Sequence, residues 1–173
     1  ALFEIARQFD CNFIAAAHHK DDNAETILHR IIRGTGYRGL AGIWPKREFN
    51  PVIMIRPLLS CRRHEILVYL DQKQIPFETD HTNLETIYTR NFIRHKLLPL
   101  LQSQSRSDLV ELLNELSLYG RKFEIFMQSR ARQAWPAVVT EESDEHISLR
   151  RKNFNALPQP VRIEIVRKVL QRL

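Results

Sequence analysis

The chain has 173 residues, 43% of them hydrophobic, with 26 Lys/Arg against 20 Asp/Glu and a net charge of +6. That length holds one medium domain, or one and part of another, with enough apolar residue to bury a core. The two cysteines, Cys11 and Cys61, form no C-x-x-C pair and exclude a disulfide scaffold or a thiolate metal site; no apolar run reaches membrane-spanning length and no signal peptide is visible, so a cytoplasmic protein away from membranes is expected.

In chain order, Ala1–Phe9 reads as the middle of an amphipathic helix with no initiator Met, so a preceding part is expected to be missing. Cys11-Asn-Phe-Ile-Ala-Ala-Ala17 reads as a buried parallel strand, apolar on both faces. Asp21 or Asp22 can cap a helix running to about Arg33, which Gly34 and Gly36 end. Val52–Ile55 is a second short strand, closed by Arg56-Pro57. Residues 61–73 form a helix with Ile66, Leu67 and Leu70 inward. Thr79-Asp-His-Thr-Asn83 is a turn cluster, and a helix runs from about Ile87 to Leu98. Asp108 with Glu111 resembles a capping box ahead of a long helix to about Ala134. Val138-Val139 and Ile147–Leu149 can pair as a hairpin, and a last helix covers roughly 159–173. The alternation of strands and helices stops near residue 103. The expected organisation is therefore an α/β domain over 1–103 followed by a mainly helical region over 104–173. The charge does not separate them: residues 1–100 hold 14 basic against 11 acidic side chains, residues 101–173 hold 12 against 9.

The chemistry concentrates around the second helix. Asp22, Glu25, Thr26, His29 and Arg33 share one of its faces. Asp22 sits at the amino end, where backbone N–H groups favour an anion. It can cap the helix, or cap it and direct its free oxygen at a substrate, or leave the amides to a phosphate. His18, His19, Asp21 and Asp22 lie close together but offer no third ligand at zinc spacing. No resident metal is expected, although a magnesium carried by substrate phosphates needs only one or two carboxylates. Arg33-Gly-Thr-Gly-Tyr-Arg-Gly-Leu-Ala-Gly42 holds four of the five glycines. It lacks the Lys-Ser/Thr ending of a Walker loop, and it follows a helix where a dinucleotide fingerprint follows a strand. Arg90-Asn-Phe-Ile-Arg94-His-Lys96 places Arg90 and Arg94 on one helical face, suited to phosphate or carboxylate or to plain solvation.

His18-His-x-x-Asp22-x-x-Glu-Thr26, Arg33-Gly-x-Gly-x-x-Gly-Leu-x-Gly42, Arg56-Pro-Leu-Leu59, Asp80-x-Thr-Asn83 and Arg90-Asn-x-Ile-Arg94, in that order, resemble the bacterial tRNA(Ile)-lysidine synthetases, a family of N-type ATP-pyrophosphatases. The resemblance covers about residues 11–101, and only weakly the remainder. It implies a Rossmann-like parallel-sheet domain, of which this chain is the second part, followed by a helical region that binds tRNA. The family's Ser-Gly-Gly-x-Asp-Ser pyrophosphate loop is not in this sequence and is expected upstream, so these residues by themselves are expected to be inactive. The implied reaction uses ATP with Mg2+ to adenylate the wobble cytidine of an isoleucine tRNA with a CAU anticodon. Free L-lysine then attacks the ring carbon and expels AMP. By resemblance Asp22 orients the amine or the cytosine, His18 holds the adenylated site, Arg33, Gly34 and Gly36 border ATP, and Arg90, Asn91 and Arg94 contact phosphate or tRNA. A thiolating ATP-pyrophosphatase, which generally needs paired cysteines, and a non-catalytic RNA-binding module are the alternatives. A homodimer is among the expected assemblies.

Overall fold

A computed structural model of the protein describes residues 2–49, 51–77 and 89–172. The Asp80–Asn83 cluster and the expected helix start at Ile87 lie outside them. The chain divides into two compact units, Ala1–Gly120 and Arg121–Leu173.

In the first unit, α1 (Leu2–Gln8) leads into β1 (Phe13–Ala15), α2 (Lys20–Ile32), the single turn α3 (Tyr37–Leu40), β2 (Lys46–Phe49), β3 (Val52–Ile55) and α4 (Arg63–Gln72). After the undescribed stretch come α5 (Thr89–Phe92), a π-helical turn (Ile93–Leu97), α6 (Leu98–Gln104) and α7 (Leu109–Val138), which passes into the second unit. The sheet has the order β1-β3-β2. β1 and β3 are parallel, Phe13 opposite Ile53 and Ala15 opposite Ile55, as expected of an α/β domain. β2 is antiparallel to β3, a hairpin strand the sequence does not announce, because Lys46-Arg-Glu-Phe49 carries three charges and no apolar alternation. β1 also departs from expectation. Phe13 is 58% exposed, because β1 is bonded on one side only among the described residues.

The core is built on α2. Ala24, Ile27 and Leu28 pack with Ile93, Val110 and Leu113, and Leu40, Leu97, Leu98 and Leu109 close the margins. Each fully buried aliphatic side chain contributes about 1.5–3 kcal/mol. α7 enters this core because Gly120 permits it: a Cβ there would stand 2.7 Å from the Ala41 backbone nitrogen. Hence the first unit extends to Gly120, whereas the change of sequence pattern near residue 103 marks only the turn between α6 and α7. Asn23, fully buried, ties the same elements together. Its Nδ2 donates to Asn114 Oδ1 (2.8 Å) and Ser117 Oγ (3.1 Å), and its Oδ1 accepts from the Ile43 N–H (2.6 Å). With its polar groups paired, that buried amide fixes the packing without leaving an unpaired group behind.

The second unit comprises the rest of α7, the hairpin β4 (Val139–Glu142) and β5 (Ile147–Leu149), α8 (Arg151–Asn155) and α9 (Gln159–Leu170). The hairpin is the one expected, antiparallel with Val139 opposite Leu149. Met127, Ala131, Val138, Val161 and Ile165 are buried. Trp135 lies beneath Lys168 Nζ (4.2 Å to the ring) and the Arg172 guanidinium (4.9 Å), which uses its face rather than its edge.

Candidate functional site

α2 begins two to three residues earlier than the sequence suggests. His19, not Asp21 or Asp22, is its N-cap: His19 Nδ1 accepts the Asp22 N–H (3.3 Å), and Asp22 Oδ2 accepts the His19 N–H (3.0 Å), a closed capping box. Asp21 is turned elsewhere, accepting the Arg63 N–H (2.8 Å). One oxygen of Asp22 is thus spent on the helix start, and the other, Oδ1, points to the next group of side chains.

That group comes from the α5/π-helical segment. Arg94 forks onto Glu25, with Nε to Oε1 at 2.6 Å and Nη2 to Oε2 at 3.0 Å, and its Nη2 also reaches Asp22 Oδ1 (3.0 Å). Arg90 touches Glu25 Oε2 (3.3 Å) and stands 3.5 Å from Asp22 Oδ1. The four charges cancel. They are unequally shielded: the Glu25 side chain is 3% exposed, that of Arg94 20%, that of Arg90 50%. The Glu25 hydrogen bonds hold the Arg94 guanidinium above its ordinary value, outweighing its burial. Glu25 reads from sequence as one of the residues sharing a face with Asp22; here it is the buried anchor of both arginines. Only its helical phase with Asp22 could have signalled this.

Ala17, His18, Asp22, Arg90, Asn91 and Arg94 line a polar cavity of about 340 Å³. Five of the eight expected site residues therefore meet in one place. His18 lies just past the carboxyl end of β1, where the crevice of an α/β sheet opens. Partial burial, and next the charge of Arg56, hold its imidazole below the ordinary value. It is neutral at pH 7, and its Nδ1 is buried without a hydrogen-bond partner among the described residues.

Arg33, Gly34 and Gly36 do not join them. They are exposed at the opposite end of α2, about 16 Å from Asp22 along the helix. Arg33 is the C-cap of α2 and Gly34, at φ +77°, takes the left-handed conformation that stops it. The following loop is folded back by Arg30, whose Nη1 donates to the carbonyls of Gly39 (3.1 Å) and Gly42 (3.0 Å). The acidic turn and the arginine–glycine loop stand apart because a helix of 13 residues separates them.

Residues 1–101 match the PP-loop domain family, ATP_bind_3. Curated relatives named tRNA(Ile)-lysidine synthase match over nearly the whole chain. Identity is 32% over 170 residues in Bacillus licheniformis, 33% over 170 in Bacillus subtilis (strain 168) and 35% over 167 in Clostridium perfringens. The matches cover 96–98% of this chain but only 34–36% of those proteins, so the chain spans about a third of the length of the relatives it matches.

Proposed function

The chain belongs to the PP-loop domain family, and from that premise we propose that it is part of an ATP-dependent ligase that joins lysine to the wobble cytidine of an isoleucine tRNA. The relatives carrying that name, similar along nearly the full chain, support this reading. The observation that carries it is the cavity beyond β1, where a neutral imidazole, a carboxylate and two guanidinium groups converge.

Each group has a task suited to its state. Adenylation turns the cytidine oxygen into a leaving group; the amine that displaces it must arrive unprotonated. The bare nitrogen of neutral His18 accepts a proton or hydrogen bond from that amine, and Asp22 Oδ1 orients it. Arg94, clamped by Glu25, keeps Asp22 in place. Arg90, half exposed and held by two longer contacts, is the guanidinium that turns to a phosphate group of the nucleotide or RNA, with Asn91 beside it. Asp22 and Glu25 are already neutralised by arginines. These residues do not fit a resident magnesium ion, and none of these tasks depends on one.

The second unit supports an RNA partner. Residues 121–173 hold 11 basic against 6 acidic side chains, a net +5, while residues 1–120 hold 15 against 14, a net +1. The near-even split seen by dividing at residue 100 conceals this, and a local basic excess is the electrostatic footprint of a phosphate backbone.

The test is a mass measurement on the wobble nucleoside after incubating the full-length protein with isoleucine tRNA, ATP and L-lysine. Mass gain by one lysyl residue is expected. Sulfur exchange would assign a thiolating enzyme instead, and an unmodified nucleoside without ATP–pyrophosphate exchange would leave a binding module.

A further inference from the structure

The hairpin beside this cavity carries two cations with no acid to balance them. Lys20, Arg62, Arg90 and Arg94 each meet a carboxylate. Arg47 and Arg56 make no ion pair among the described residues. Arg47 is the ladder partner of Met54 across β2–β3, and directly opposed residues project from one face. Arg56 follows Met54 by two positions and continues the pairing through its own N–H, which donates to the Pro45 carbonyl (2.9 Å), so it falls on the same face. The Arg56 Nη2 reaches the Met54 sulfur (3.1 Å), Nη1 donates to the Trp44 carbonyl (2.7 Å), and Nε is buried without a hydrogen-bond partner among the described residues. At the other end of the hairpin Phe3 of α1 stacks against Phe49 (ring centroids 4.8 Å apart). Arg47 lies over the same Phe49 ring (guanidinium 4.9 Å from the centroid), a contact that holds the side chain without neutralising its charge.

We propose that Arg47 and Arg56 form a receptor for a phosphoryl group at the carboxyl ends of β1 and β3. Two like charges on one face repel unless an anion lies between them. Burial first, and Arg47 second, hold the Arg56 guanidinium below its ordinary value, the direction expected of a cation lacking its counter-ion. Guanidinium forks match phosphate oxygens bidentately, and the crevice past the carboxyl ends of parallel strands is where α/β sheets take ligands. Arg56 also acts electrostatically on His18, which places it near that residue. A nucleotide phosphate and an RNA backbone phosphate share the required chemistry. The site does not depend on lysine being the nucleophile, so it stands or falls separately from the ligase reading.

The 173-residue chain is titrated calorimetrically with inorganic pyrophosphate and, separately, with a short RNA stem-loop. Arg47→Gln and Arg56→Gln are each expected to weaken binding about tenfold, the loss of a charge-assisted contact. Arg47→Gln, on an exposed strand, is also expected to shrink the rise in melting temperature that a fixed pyrophosphate concentration causes in the wild type. That second readout keeps the test decisive if Arg56→Gln does not fold. Weakening confined to pyrophosphate assigns a nucleotide phosphate; weakening of the stem-loop assigns the backbone. Binding of both probes unchanged in both variants, or no binding by the wild type, overturns the proposal.

Discussion

The two ends of α2 look alike in sequence and differ in kind. Each is a turn dense in charge: His18–Asp22 at one end, Arg33–Arg38 at the other. At the amino end, side chains from two distant segments converge on a cavity, and one of the charges, Glu25, is almost fully buried. At the carboxyl end the charges are exposed or tied to carbonyls, and the glycines serve the backbone. A functional site is marked by convergence of partnered, desolvated groups from different elements; density of unusual residues along the chain is not enough.

Substitutions can break or sharpen that contrast. The largest effect is expected from Glu25→Ala, which leaves Arg94 partly buried with only Asp22 to face it. Urea unfolding should show a loss of about 3 kcal/mol, the lower end for a broken buried pair. A loss below about 1 kcal/mol would make the quartet an ordinary surface pair. Asn23→Leu comes next. It strands the Ile43 N–H and deprives Asn114 and Ser117 of a partner, at about 2 kcal/mol for buried groups left unbonded. At the opposite end of the helix Gly34→Ala meets open space but must hold φ at +77°. It should cost about 1 kcal/mol and leave ATP affinity unchanged; a large loss of ATP affinity would return that loop to the site.

The smallest expected effect is on pH dependence. Partial burial would raise the Asp108 carboxyl, but the Arg62 hydrogen bond (2.8 Å) and the N–H groups of Glu111 and Val110 outweigh it and hold it below 3.8. Its contribution is therefore complete above the ordinary carboxylate value and is lost as pH falls through the lowered one. His18 acts in the same direction. Its folded value lies below 6.5, so the unfolded chain takes up that proton first and stability declines as pH drops below 6.5. Asp108→Asn should flatten only the limb below pH 4, and His18→Gln the limb just below 6.5, in melting temperatures measured from pH 3 to 8.

Local signals in the sequence were reliable where one element sufficed. The apolar run Phe13–Ala15 made a strand, Asp22 and Glu25 fell on one face of α2, Arg90 and Arg94 on one face of their segment, and Val139 paired with Leu149. What could not be read was which faces meet. Spacing shows that Arg94 can fork onto a carboxylate but does not name Glu25. It gives no hint that Asn23 and Asn114 close a buried network, or that charged β2 pairs with β3. The arginine–glycine loop misled for the same reason: its composition suggests a ligand, while the length of α2 carries it away from the cavity.

The cavity at the amino end of α2 as the place where chemistry occurs is tested most directly by Asp22→Asn in the full-length protein, with lysidine formation and melting temperature measured side by side. Asparagine keeps the hydrogen bond to the His19 N–H but puts an NH2 where Asp22 offers Oδ1, so it neither accepts from the lysine amine nor pairs with Arg94. Unchanged folding with lysidine formation reduced by at least about a hundredfold is the expected result; folding and turnover both at the wild-type level would contradict it.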